Sequence, residues 1–188
     1  MAIYRVHVSL LDIEPMIWRR IELSSQTTLR QFHRSLQIVM GWENYHMHEF
    51  LAGKQRYGVP DSTYDEPGEV ILEGKIRLSE VLPTLGAQIQ YIYDLGDYWR
   101  HAVTLEESVS AEPDAEYPRV IGGARSCPPE DCGGTGGYAN LLDILMDPKH
   151  EDYQHMHDWA GDKFNAEVFS FKDINLRLRR NRSLATKS

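Results

Sequence analysis

Apolar and polar positions alternate along the first 24 residues and then change period. IYRVHVSL, with Ile3, Val6, Val8 and Leu10, alternates well enough to predict a strand, and MIWRRIEL, after the turn DIEP, predicts its hairpin partner. Leu29, Phe32, Leu36 and Met40 then recur at helical spacing. Thr28 and Gln31 fit a capping box at the start of that helix, and Gly41 is placed to end it. HMHEFLAG predicts another strand, on which His46 and His48 would point the same way, while the Gly-, Pro- and Asp-rich stretch 53–75 predicts a long surface excursion. RLSEVLPTLG predicts a short helix stopped by Pro83 and Gly86. The strongest hairpin signal is IQYIYDLGDYWRHAVTLEE, two strands around Asp94-Leu95-Gly96-Asp97, with Trp99, His101, Val103 and Leu105 on one face of the second.

Beyond it, SVSAEPDAEYP predicts an acidic loop, and YANLLDILMD a helix starting near Tyr138, with Leu141, Leu142, Leu145 and Met146 inward and Pro148 as its stop. A His-rich acidic segment, HEDYQHMHDW, precedes FNAEVFS and FKDINLRLRR. No repeat or low-complexity linker divides the 188 residues, so one domain over 1–188 is expected, with 173–188 as a basic C-terminal helix and tail. The order of elements predicts an α+β fold: a mixed or mainly antiparallel sheet, a β-grasp-like ββαβ core and a helical C-terminal part.

Composition narrows the function classes. No run approaches the roughly 18 apolar residues of a membrane span, and MAIYRVHVSLLDIE lacks the core of a signal peptide, so a cytoplasmic protein without a membrane partner is expected. The net charge of −8 is uneven: Lys172, Arg177, Arg179, Arg180, Arg182 and Lys187 against Asp173 leave the tail at +5 and the rest at −13. Such a body repels nucleic acid. The tail reads most simply as a solvated helix face, and duplex DNA is not an expected partner at physiological salt.

The chain's two cysteines lie in SCPPEDCGGTGGY, residues 126–138. The Cys127-x4-Cys132 spacing falls within the range of zinc knuckles, and His101 and His48 are the likeliest-placed completions by element, with His46 or the group His150, His155 and His157 as other supplies. One pair is a weaker zinc signal than two, and the plainer reading is a stiff turn set by Pro128 and Pro129 with buried, reduced thiols. A thioredoxin-like role needs Cys-x-x-Cys at a helix start, and a P-loop needs Gly-Lys-Ser/Thr where Tyr138 and Ala139 stand. His101 and His33 sit on apolar faces and read as core histidines, and Asp94 and Asp97 as turn residues. An enzyme would therefore have to gather His48, Asp97, His101, Cys127, Glu130, Asp131 and Cys132 in space.

Five stretches, PMIWRRIEL, LRQFHRSLQIVMGWENYHMHEF, YIYDLGDYWRHAVTLEE, CPPEDCGGTGGYANLLDIL and WAGDKFNAEVFSFKDIN, together resemble the plasmid pRiA4b ORF-3-like protein family. The resemblance covers nearly the whole chain. It implies an α+β fold and a bacterial or archaeal group met on chromosomes and mobile elements, and it carries no reaction with it. Three functions stay open: a non-catalytic binding or interaction domain for a protein or small ligand, with the Cys loop beside a cleft; a metal-dependent hydrolase or related enzyme at that loop; and a nucleic-acid accessory of a mobile element. No cofactor is required by the first, and zinc is the metal the second would take.

Overall fold

The computed structural model describes residues 1–63 and 65–185. In chain order its elements are β1 (Ala2–Leu10), β2 (Trp18–Ser24), α1 (Leu29–Met40), β3 (His48–Ala52), β4 (Gln55–Gly58), β5 (Val70–Leu72), α2 (Leu78–Val81), β6 (Gln88–Tyr93), β7 (Trp99–Ser110), β8 (Arg119–Ala124), α3 (Gly134–Met146), α4 (Tyr153–Ala160) and α5 (Phe171–Ala185). The strands form one sheet in the order β5-β4-β3-β6-β7-β1-β2-β8, antiparallel at every pairing except β4 with β5. The fold is α+β. The ββαβ order is present along the chain, but in the sheet β6 and β7 lie between β3 and β1.

Two-residue periodicity gives the sheet a packed face and a wet one. Tyr4, Val6 and Val8 pair with Leu23, Ile21 and Arg19 on β2, and Val8 and Leu10 pair with Val103 and His101 on β7. All of these are buried. On the opposite face an ion ladder runs across the strands, with Glu22, 1% exposed, held between Arg5 at 2.6 Å and Arg119 at 2.5 Å.

Helix α1 covers the packed face because its stripe matches it: Leu29, Phe32 and Leu36 are fully buried and Met40 nearly so. Each such side chain contributes about 1.5–3 kcal/mol of burial. The helix is bounded as its sequence predicts, with Thr28 and Gln31 closing a reciprocal capping box and Gly41 left-handed at φ 91°. Trp99, His101, Val103 and Leu105 face the same core.

Four expectations are corrected, and two stretches for which no element was expected, RVIGGA and the His-rich segment, form elements. The 53–75 excursion holds β4, β5 and a 3-10 turn, because Gly53 and Lys54 turn the chain back onto β3. RVIGGA forms the edge strand β8, and β7 runs on to Ser110, into the predicted acidic loop. The His-rich segment is helical in α4. Helix α3 starts at Gly134 instead of Tyr138, and it buries Tyr138, Leu141 and Ile144 at three-residue steps. Leu142 and Leu145 are only partly buried, and Met146, in the last turn, is 80% exposed. No helix among the described residues is long and apolar enough to cross a membrane.

Candidate functional site

Between β8 and α3 the Cys-Pro-Pro-Glu-Asp-Cys loop crosses the end of the packed face, and its two sides meet very different chemistry. On one side lies Arg19. Its phase with Ile17, just before β2, and with Ile21 and Leu23 on that strand turns it into the core, where it is 2% exposed. The guanidinium donates to the carbonyls of Trp18 and Ala124 at 2.8 Å and Val39 at 3.3 Å, and its Nη2 donates to Cys127 Sγ at 3.1 Å. Phe169 stacks over it at 4.2 Å. Gly123, the cross-strand partner of Arg19, makes room for that ring: a Cβ there would sit 2.5 Å from Phe169.

No carboxylate among the described residues lies within ion-pair distance of Arg19, and the nearest acid, Cys127, stays a thiol. Burial pushes that thiol's pKa up against the opposing pull of Arg19, and its S–H is directed at Met40 Sδ, 3.3 Å away. Burial in turn lowers the pKa of Arg19, but a guanidinium starts so high that it remains charged. The result is a buried positive charge. It lines an open cleft of about 420 Å³, bounded by the end of α1, Trp42, the Cys loop, Phe164 and Phe169, with Lys163 and Arg177 adding positive charge and Glu130 and Asp173 negative.

On the other side of the loop the charge is reversed. Glu130 accepts from the amide of Glu43 at 2.7 Å and from Tyr93 Oη at 3.0 Å, and burial followed by the Glu130 charge raises the Tyr93 pKa. His46 Nε2 lies 2.9 Å from Asp131 Oδ1, 3.6 Å from Asp94 Oδ2 and 3.9 Å from Glu130 Oε2. Between the two sides stands Trp42, which donates to Pro128 O at 3.0 Å and stacks on Tyr93 at 4.8 Å.

The predicted zinc set is not brought together. His48 is stacked on His33, ring centroids 3.4 Å apart, and bonded to the buried Glu73 at 2.9 Å. His101 is fully buried with Nδ1 on Tyr91 O at 3.1 Å, and burial pushes its pKa down to about 4. Cys127 is committed to Arg19. Cys132 is partly buried, and burial, then the charges of Asp97 and Asp131, push it up to about 12. Both cysteines are free, and neither is a reactive thiolate at neutral pH. Asp97 accepts from the amide of Gly133 at 3.1 Å and so anchors the loop's end. The strand β3 begins only at His48, so His46 leaves the strand face and turns to Asp131.

Of the other histidines, His157 lies near Asp158 and Asp162 in an exposed group, while His150 and His155 belong to no such group among the described residues. Two of the glycines are required by close approach: a Cβ at Gly137 would fall 1.9 Å from Cys132 O and one at Gly134 2.7 Å from Asp97 O, whereas Gly136 faces open space. Arg19 and Asp94 are the residues missed by sequence. For Arg19 the signal was there, in its two-residue phase with Ile17, Ile21 and Leu23.

The chain matches the family described as plasmid pRiA4b ORF-3-like protein over residues 2–173. It is 31% identical over 175 residues to the uncharacterized protein y4hQ of Sinorhizobium fredii (strain NBRC 101917 / NGR234), covering 93% of this chain and 89% of that protein. The crystal structure of a protein of unknown function, MM3350 from Methanosarcina mazei Go1, superimposes with a TM-score of 0.84 at 36% identity, covering 92% of this chain and 97% of the other.

Proposed function

The chain belongs to the plasmid pRiA4b ORF-3-like protein family, and on that premise we propose that it is a non-catalytic binding domain for a small anionic ligand with an apolar body. One observation carries the reading: a 2%-exposed arginine without a carboxylate partner lines an open cleft. Burying a cation is costly unless something offsets it, and three carbonyls, a thiol and an aromatic face supply only neutral partners. A carboxylate or phosphate entering the cleft would complete the charge. Trp42, Phe164 and Phe169 would meet its apolar part, as ligand pockets commonly combine few polar groups with aromatic walls.

In this reading the domain spans 1–188 and works in the cytoplasm, in keeping with two unpaired cysteines. Nucleic acid is not a partner. Arg179 of the basic helix is paired with Glu116 at 2.9 Å and Arg177 lines the cleft, while the side chain of Arg182 and the residue Lys187 lie outside the described residues.

The test is calorimetric titration with phenyl phosphate, benzoate and the neutral benzyl alcohol. The two anions should bind and the alcohol should not, and Arg177→Gln, an exposed and fold-neutral change, should weaken the anions about fivefold to tenfold. Equal binding of the alcohol, or anion affinity unchanged by Arg177→Gln combined with Lys163→Gln, would refute the assignment.

A further inference from the structure

The negative side of the Cys loop is a second site, which meets the anion cleft at Glu130. We propose that His46, Asp94 and Asp131, with Glu130 beside them, bind a divalent first-row metal ion. Four side chains from three separate segments converge there: His46 from the turn before β3, Asp94 from the β6–β7 hairpin, and Glu130 and Asp131 from the Cys loop.

The spacing of the donor atoms is that of ligands able to share one ion. Two donors each about 2.1 Å from a zinc ion lie roughly 3–3.5 Å apart. Here the separations from His46 Nε2 are 2.9, 3.6 and 3.9 Å. The shortest, to Asp131 Oδ1, is of ion-pair length, yet the Nε2 atom, shielded from solvent on a side chain that is 30% exposed, makes no hydrogen bond. A buried imidazole nitrogen without a partner needs one.

Two of the carboxylates, Asp94 and Glu130, are already held as metal ligands are, while Asp131 reaches in from the surface. The side chain of Asp94 is 9% exposed, its Oδ1 accepts from the amides of Gly96 at 2.8 Å and Asp97 at 3.3 Å, and its Oδ2 is turned toward His46. Glu130 gives Oε1 to the Glu43 amide and to Tyr93, whose hydroxyl also lies 3.4 Å from Oε2, and presents Oε2 to His46. One oxygen fixed by the protein and one facing inward is the arrangement that orients ligating carboxylates. Among the described residues no lysine or arginine lies within ion-pair distance of the three acids, so their mutual repulsion is relieved by His46 or by a bound cation.

One imidazole with carboxylates suits zinc or manganese better than magnesium or calcium, which favour all-oxygen sites. The exposed group His157, Asp158 and Asp162 has no buried, unpartnered atom and serves as the control.

The experiment is calorimetric titration of Zn²⁺ and Mg²⁺ into untagged, chelator-treated protein. Wild type should take one zinc per chain, with magnesium bound far more weakly. Asp131→Asn, at an exposed residue where folding is safe, and His46→Ala should each weaken zinc at least about tenfold, the size of effect already seen for residues that only support ligands. His157→Ala should bind as wild type. The proposal fails if wild type takes no zinc, if Asp131→Asn and His46→Ala bind it unchanged, or if Cys132→Ser abolishes binding that His46→Ala leaves intact. Matching melting temperatures of the metal-free proteins would show that lost binding is not lost folding.

Discussion

Cys127 and Asp131 are four positions apart on one loop, yet the first faces a buried arginine among neutral partners and the second faces a histidine among carboxylates. Both sides leave charge unbalanced within the protein, and the signs are opposite. A loop stiffened by Pro128 and Pro129 and held by Trp42 and Asp97 keeps the two apart. The contrast teaches that net charge is a poor guide to ligand charge. A chain at −8 carries its most deeply buried cation in the lining of its cleft.

The largest effect should come from the positive side. Replacing Arg19 by Met removes the donors to three carbonyls and the Cys127 sulfur, and urea unfolding should show a loss of about 3–5 kcal/mol. A loss below about 1 kcal/mol would mean that those carbonyls find other partners, and that the arginine is not what joins β2, β8 and the loop.

The buried histidines behind the two sides should respond next, through pH. Burial pushes His101 to about 4, and burial together with the charge of His48 pushes His33 to about 4. Unfolded histidine titrates near 6.5, so between these values the unfolded chain binds more protons and stability falls as pH falls. From pH 7 to pH 5 the loss should be about 2 kcal/mol per histidine, and His33→Gln should remove its share. A stability unchanged across that range would show that these rings are protonated in the fold.

The negative side should matter least to folding. Asp131→Asn in metal-free protein should change stability by no more than about 0.5 kcal/mol, because its side chain is 66% exposed. A loss above about 1 kcal/mol would make the His46–Asp131 contact a structural pair and erase the functional contrast.

Local patterns explain why the scaffold was legible and the site only partly so. The capping box at Thr28, the stripe of α1 and the face of Trp99 and His101 depend on near neighbours, which the sequence displays. Strand β8 hid behind Gly122 and Gly123, whose missing side chains erase the alternation, while the bare Gly123 admits Phe169 onto Arg19. Asp94 was correctly legible as a turn former, since Oδ1 caps two amides. What its other oxygen faces is decided by a loop some 37 residues later, at Asp131, and no local pattern announces that. His48 looked the better ligand because it shares a strand with the core. That same burial committed it to Glu73 and His33.

The central claim, an anion held at the buried arginine, is tested most directly by the Trp42 indole, which lines the cleft and donates to Pro128 O. The protein has four tryptophans, so its indole N–H signals can be separated by nuclear magnetic resonance and Trp42 assigned with Trp42→Phe. On titration with phenyl phosphate, the Trp42 signal should shift and saturate while that of Trp159, outside the cleft, stays in place, and Arg177→Gln should move the midpoint to higher concentration. A Trp42 signal that does not move, or that follows benzyl alcohol equally, would contradict the account.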